Sequence, residues 1–320
     1  MNGSTDIWTM GELLAEVMRP ERDQPLGQVG PFLGPYPSGA PGIFIDTVAR
    51  LGRSAGIISA VGQDPFGAAI VERLARDGVR TDHVETIAGR ATGVAFVAYA
   101  ADGSREFLFH WDGTPAVMAG VPSRTIADGT RFFHVMGCSL MASQPFRERL
   151  LETMAMFAEA GARITFDPNV RLELAGREAV RALVEPVLRA CSILLPGREE
   201  LLMLSGETSL DAAAASLLRR YPLEMIALKL GRQGCRVYAK DGRIDVPAFA
   251  IDEVDPTGAG DCFDAGFLCG LLDGLPPGEA ARYGAAVGAL GAAAFGPMEG
   301  DISQASVAAL MHRRSGAGSG

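Results

Sequence analysis

The sequence predicts an α/β fold, a mostly parallel central sheet with helices on both faces and a small second sheet standing off from it. One observation predicts the main body. From about residue 43 onward, short apolar runs of strand length alternate with segments of helical period. That alternation favours a parallel sheet covered by the intervening helices. A second observation predicts the smaller sheet: residues 13–19, 92–100 and 106–110 read as strands outside the alternation, the last two joined by a hairpin turn at Asp102-Gly103.

In chain order, the first apolar strand ends before Gly11, and the carboxylates of Glu12 and Glu16 follow it, able to accept the hydrogens of two hydroxyl groups. Gly39 lies in the turn 38–43, where the missing side chain lets backbone approach a ligand closely. Strand runs then occupy 55–61, 132–136, 164–167, 193–195 and 225–230. Between them, Phe66, Ile70 and Leu74 recur at helical spacing, as do Phe146, Leu150, Met154 and Phe157. Gly137, Asp167, Pro196 and Gly231 fall at the carboxyl ends of the runs, where ligands collect in open parallel sheets. His134 reads as a core residue, His110 as one able to cap a ligand from the second sheet, and Trp8, Trp111, Met154, Met156 and Met203 as packing.

Composition narrows the function. The 320 residues are 48% hydrophobic and 21% charged, ordinary for a globular core. A net charge of −9 with no basic run lacks the electrostatic footprint that nucleic acid requires. Glu12, Glu16 and Arg19 interrupt the first hydrophobic segment, so no early run suits a signal peptide or a membrane span. The five cysteines, Cys138, Cys191, Cys235, Cys262 and Cys269, are odd in number and lack metal-ligand spacing, which reads as reduced thiols in a cytoplasmic protein. The expected organisation is a single domain over 1–313 and a linker-like tail over 314–320.

The most specific segment is Asp255-Pro256-Thr257-Gly258-Ala259-Gly260-Asp261, running into an apolar helix. Its glycines permit a sharp turn, and the N–H groups of Gly258, Ala259, Gly260 and Asp261 at the helix start suit an anion. A carboxylate beside bound negative charge is costly unless it takes a proton from a nucleophile. Asp261 is therefore the candidate catalytic base of a phosphoryl transfer. The absence of G-x-x-x-x-G-K-[ST] excludes a Walker-type cradle, and the absence of G-x-G-x-x-G after the first strand weighs against a dinucleotide-dependent dehydrogenase.

This segment resembles the C-terminal signature of the ribokinase-like, or pfkB, carbohydrate kinases. The turn Ser38-Gly39-Ala40-Pro41-Gly42-Ile43, followed by Ala49-Arg50-Leu51-Gly52, is similar to the family's sugar-binding turn and the helix after it. The order and spacing of the intervening segments fit as well, so the resemblance spans nearly the whole chain. It implies a ribokinase-like three-layer sandwich whose small sheet, with strands in about 12–35 and 90–112, is a lid over a sugar and in many relatives a homodimer contact. It implies ATP and Mg2+, with the nucleotide over Lys229, Gly231, Gly234 and Thr257 and near the helix at 283–296. Glu200 falls where the family holds magnesium through water, and Asp255 resembles a residue associated with an activating K+ site.

On the sugar side, the resemblance implies roles for Glu12, Glu16 and Gly39. Arg105 and the run Asp167-Pro168-Asn169-Val170-Arg171 are similar to positions used by 2-keto-3-deoxygluconate kinases and fructokinases, and an arginine pair suits a carboxylate. The chain departs from the family at Ile43 and Gly197, where relatives carry asparagine, and at Ala285. The expected activity is ATP-dependent phosphorylation of a ketose such as fructose or tagatose, or of a keto-sugar acid. A nucleoside kinase and a non-catalytic sugar-binding regulatory protein stay open as alternatives.

Overall fold

The computed structural model describes residues 4–101, 104–170, 177–240 and 242–313. Among them, ten strands form the main sheet: β1 (Ile7–Met10), β4 (Ala55–Gly62), β5 (Val79–Arg80), β6 (Val84–Ile87), β9 (Phe132–Met136), β10 (Arg163–Asp167), β11 (Cys191–Leu194), β12 (Met225–Lys229), β13 (Cys235–Ala239) and β14 (Gly242–Val246). The order is β14-β13-β12-β11-β10-β9-β1-β4-β5, with β6 beside β4. Pairing is parallel from β12 to β5 and antiparallel only in the terminal β12-β13-β14 meander.

The continuous apolarity of these strands has a direct cause. Successive side chains point to opposite faces, and both faces are covered. Ile7, Ile57, Phe132 and Ile193 enter one core, with α1 (Ala40–Arg50), α2 (Pro65–Arg76), α8 (Ala259–Leu272), α9 (Pro277–Ala292) and α10 (Gln304–Arg313). Their neighbours Trp8, Ile58, Phe133 and Leu194 enter the other, with α4 (Gln144–Glu159), α5 (Arg177–Leu188), α6 (Arg198–Ser205) and α7 (Leu210–Arg220). The short α3 (Gly137–Ala142) follows β9 directly. This is the expected three-layer arrangement.

Local signals set the helix starts. Asp64 caps α2 by accepting from the Gly67 N–H at 2.9 Å, with Pro65 in the first turn. Of the periodic trio on α2, Ile70 and Leu74 are buried, but Phe66 is exposed because it sits in the first turn, beyond the sheet. His134 is a core residue as expected: its Nδ1 pairs with Thr165 Oγ1 at 2.8 Å, its ring stacks on Phe44, and burial lowers its pKa to about 3, so it stays neutral.

The second sheet is β3-β2-β7-β8, from β2 (Leu14–Arg22), β3 (Leu33–Ser38), β7 (Val94–Tyr99) and β8 (Arg105–His110). Its outer pairs are antiparallel and its central β2-β7 pair is parallel. The predicted turn at 102–103 lies outside the described residues. β3 runs to Ser38, past the expected limit near 35, because pairing to β2 recruits the unpromising Leu-Gly-Pro-Tyr-Pro-Ser. The 23–32 connection wraps the buried Arg19 guanidinium, which donates to the carbonyls of Pro25, Leu26, Gln28 and Pro31 and lies over the Phe32 ring. Among the described residues, no helix is long and apolar enough to cross a membrane.

Candidate active site

The carboxyl ends of the parallel strands deliver the polar groups. Glu12 follows β1, Cys138 and Ser139 follow β9, Asp167 ends β10, Gly197 and Glu200 follow β11, and Lys229 ends β12. Two cavities open along this edge. The smaller, about 220 Å³, lies between the edge and the second sheet. The larger, about 680 Å³, lies between the β12-β13 turn, the 248–253 segment, α8 and α9. Lys229, Pro256 and Gly260 line both.

The segment 255–261 forms the boundary between them. Gly258 caps α8 with φ +76°, and a Cβ there would fall 2.8 Å from the Pro297 carbonyl, so only glycine suits the turn. Asp261 is in the first helical turn, buried, and its Oδ1 accepts from Asn169 Nδ2 at 3.2 Å. Asp255 shapes the approach, accepting from Thr257 N at 2.9 Å, Gly296 N at 3.1 Å and Tyr99 Oη at 3.1 Å. One expectation is corrected here. The Ala259 N–H turns back onto the Pro256 carbonyl at 3.3 Å, because the tight turn ahead of α8 closes on itself, so it is not directed at an anion.

Beside the nest is a buried charge cluster. Lys229 Nζ lies 2.7 Å from Asp167 Oδ2 and 3.0 Å from Asp264 Oδ2. Burial opposes the ammonium charge, but Asp167 and Asp264 together hold the lysine pKa well above its usual value. Burial also works against Asp167, yet the Lys229 charge keeps its carboxyl below the usual range. Asp264, wholly buried and facing the charge of Asp167, is pushed well up despite Lys229. Glu200 is likewise raised by burial and by Asp167. Its two oxygens accept from the Gly197 N–H at 2.6 Å and the Val170 N–H at 2.8 Å. Each oxygen has a second lone pair to offer a water, so the carboxylate fits a water-mediated contact to a metal carried by a nucleotide.

The smaller cavity has an acidic floor and an aromatic roof. Glu12 accepts from Ser139 Oγ at 2.5 Å and Cys138 Sγ at 3.1 Å, and Glu16 from Ser38 Oγ at 2.5 Å. Gly39 lines the cavity with φ +104°, and a Cβ there would fall 2.4 Å from the Glu12 carbonyl. Arg105, Phe107, Phe109 and Trp111 line it from β8 and its continuation. Phe109 stacks on Phe107 from one side and Trp111 from the other. Trp111 is thus a wall of the cavity and not merely packing. His110, on the opposite face of the strand by its period of two, is exposed and absent from the lining.

The second sheet grips the 255–261 segment directly: Tyr99 Oη and Arg105 each reach Thr257 Oγ1 at 3.3 Å. Thr257, expected beside Gly231 and Gly234, accordingly lines the smaller cavity and is absent from the larger one that holds them. The larger cavity does collect Lys229, Gly231, Gly234 and Ala285, with Phe249, Phe263, Gly288 and Ala289. Glycine and alanine are the commonest residues of its lining. Behind the junction, buried Asp46 lies 3.7 Å from both Arg50 and Arg73, which donate to the carbonyl of Met298. Burial raises the Asp46 pKa to about 7, against the pull of Arg73.

Asp264 and Tyr99 are contributors to which sequence reasoning gave no role, and Asn169 entered it only as part of the 167–171 run. Asp264 sits one helical turn beyond Asp261, and that spacing was a usable signal. The contacts of Asn169 and Tyr99 cross long sequence separations, which residue types do not encode. Arg171 lies outside the described residues.

A parallel sheet whose strand edge carries a glycine-capped helix start, a buried carboxylate and two adjoining cavities places the chain among α/β proteins with a site at the carboxyl ends of the strands. The pfkB family carbohydrate kinase profile matches residues 28–304. Fructokinase-1 of Oryza sativa subsp. japonica is 31% identical over 315 residues, covering 95% of this chain and 97% of the relative. Fructokinase-1 of Zea mays is 32% identical, covering 82% and 81%. Among solved structures, a candidate ribokinase II of E. coli in complex with ATP and Mg2+ superposes with a TM-score of 0.90 at 35% identity, covering 97% and 99%. The fructokinase of Xylella fastidiosa with bound ATP gives 0.84 at 26% identity, covering 97% and 99%. The chain belongs to the pfkB family of carbohydrate kinases and has the ribokinase-like fold. It is a sugar kinase.

Proposed function

We propose that the protein transfers the terminal phosphoryl group of ATP to a hydroxyl of a ketose such as fructose or tagatose, or of a keto-sugar acid, with Asp261 as general base. The observation that carries this reading is the position of Asp261 on the smaller cavity, with its neighbour Gly260 lining both cavities. A hydroxyl held in the smaller cavity then lies beside a carboxylate and faces a phosphate delivered from the larger one, the positioning on which phosphoryl transfer depends. The N–H groups of Gly258, Gly260 and Asp261 take up the charge of the transferred group.

Glu12, Glu16 and the Gly39 backbone orient the sugar, and Arg105 closes over it from the lid. Asp167 acts through Lys229, which it holds at the junction of the two cavities. The fructokinase relatives support a ketose. Nucleosides are a poorer fit, because Phe109 is already engaged with the Phe107 and Trp111 rings. Glu200 would hold Mg2+ through water, and the ion would supply neutralisation of the phosphate charge. A K+ site at Asp255 belongs to the same reading. So does a homodimer through the lid, whose Leu33 and Leu108 are exposed.

The test is ADP release with ATP and Mg2+ across ketoses, aldoses, keto-sugar acids and nucleosides, with Asp261→Asn as control. Turnover of one sugar that disappears in the control supports the reading. Sugar binding without turnover replaces it with a regulatory role.

A further inference from the structure

One face of the second sheet serves two parts of the site. β7 and β8 pair antiparallel in a register that sets Ala95 opposite Phe109, Val97 opposite Phe107 and Tyr99 opposite Arg105. Residues directly opposite share a face, and the period of two along each strand puts all six on the same one. Toward one end of that face Ala95, Phe107 and Phe109 line the smaller cavity. At the other end Tyr99 and Arg105 reach Thr257, in the turn that opens the nest.

The Tyr99 contact extends further into that turn. Its hydroxyl donates to Asp255 Oδ1 at 3.1 Å, and the same oxygen accepts from the Thr257 N–H at 2.9 Å. Asp255 Oδ2 accepts from the Gly296 N–H at 3.1 Å, so one buried carboxylate joins the second sheet, the 255–258 turn and the backbone after α9. The Tyr99 ring packs on Phe295 with centroids 6.3 Å apart, and Tyr36 of β3 packs on the same ring at 6.3 Å. Burial and the charge of Asp255 hold the Tyr99 hydroxyl above its usual range, so it keeps its proton and remains a donor. Tyr99 lines neither cavity. Its part in the reaction therefore passes through the groups it holds.

Resting on the reading of 255–261 as the phosphate site, we infer that Tyr99 is a positioning residue: its hydroxyl fixes the roof of the acceptor cavity relative to the nest and so sets the alignment of the attacking hydroxyl with the phosphate. Without that hydroxyl each cavity keeps its own ligand contacts, and the mutual alignment is what is lost. Phosphoryl transfer depends on such alignment, and a misplacement of about 1 Å can cost on the order of 10²-fold. A hydrogen bond to a carboxylate has a worth that corresponds to about 10-fold or more in rate.

Tyr99→Phe is the informative variant, because it removes the hydroxyl alone and keeps a ring against Phe295. Its kcat and its single-turnover rate of phosphoryl transfer are expected to fall together by about 10-fold or more, with the KM values for sugar and ATP within about 2-fold and the protein folded at the assay temperature. Glu106→Ala, on the opposite face of β8 beside Arg105, is expected to change neither rate and controls for a general loosening of the sheet. An unchanged single-turnover rate in Tyr99→Phe, a loss carried by either KM, or an equal loss in Glu106→Ala would each overturn the inference. Absence of wild-type turnover on every ketose, aldose and keto-sugar acid would instead overturn the reading of the site on which it rests.

Discussion

The two cavities are built by opposite means. The smaller is walled by charged and aromatic side chains gathered from six segments between Glu12 and Asp261, each held by a specific partner. The larger is lined by the β12-β13 turn, the 248–253 segment, α8 and α9, where glycine and alanine are the commonest residues. Exchanging one charged or aromatic side chain reshapes the smaller cavity directly, whereas at the glycines and alanines of the larger one any substitution adds bulk.

Experiments can break that contrast. The largest effect belongs to the junction, where Asp261→Asn is expected to lower kcat by roughly 10²- to 10⁴-fold with little change in nucleotide affinity, measured by steady-state kinetics and nucleotide titration. Retained turnover would remove the catalytic role. Next, Lys229→Met leaves Asp167 and Asp264 buried without their cation, at an expected cost of about 3–5 kcal/mol in denaturant unfolding. A loss under about 1 kcal/mol would show that the junction charges compensate one another without the lysine.

A site behind both cavities gives the scale for pH. The Asp46 pKa is raised, so the folded state binds a proton that the unfolded state has released above its lower pKa. That contribution is complete below pH ~4 and is lost as pH rises through about 7. Between about pH 5 and about pH 8 the loss amounts to roughly 2–3 kcal/mol, and Asp46→Asn is expected to flatten this slope in parallel urea titrations. The smallest effects separate the cavities. Arg105→Ala should raise the sugar KM about 10-fold and leave the ATP KM nearly unchanged, and Ala289→Leu should do the reverse. Equal effects on both constants in either variant would mean that the cavities are energetically one site.

Legibility in the sequence followed the same division. The parallel strands were readable because burial on both faces makes them apolar throughout, as in β9 and β12. β3 was not, since its two prolines and its glycine carry no strand preference and only pairing with β2 extends it. The nest and Asp261 were readable because a local turn creates them. The partners Asn169 and Tyr99, and the placement of Thr257 beneath the lid, were not, because tertiary contacts between distant segments create them. The fate of the Ala259 N–H was a matter of turn geometry that residue types do not encode.

The close approach of Gly39 to the Glu12 carbonyl has a mechanical meaning. Glu12 and Gly39 stand where the chain enters the lid through β2 and leaves it through β3. That contact ties the entry of the second sheet to its exit at a single joint, and a methyl group at Gly39 would meet the Glu12 carbonyl at 2.4 Å, so the joint admits no side chain.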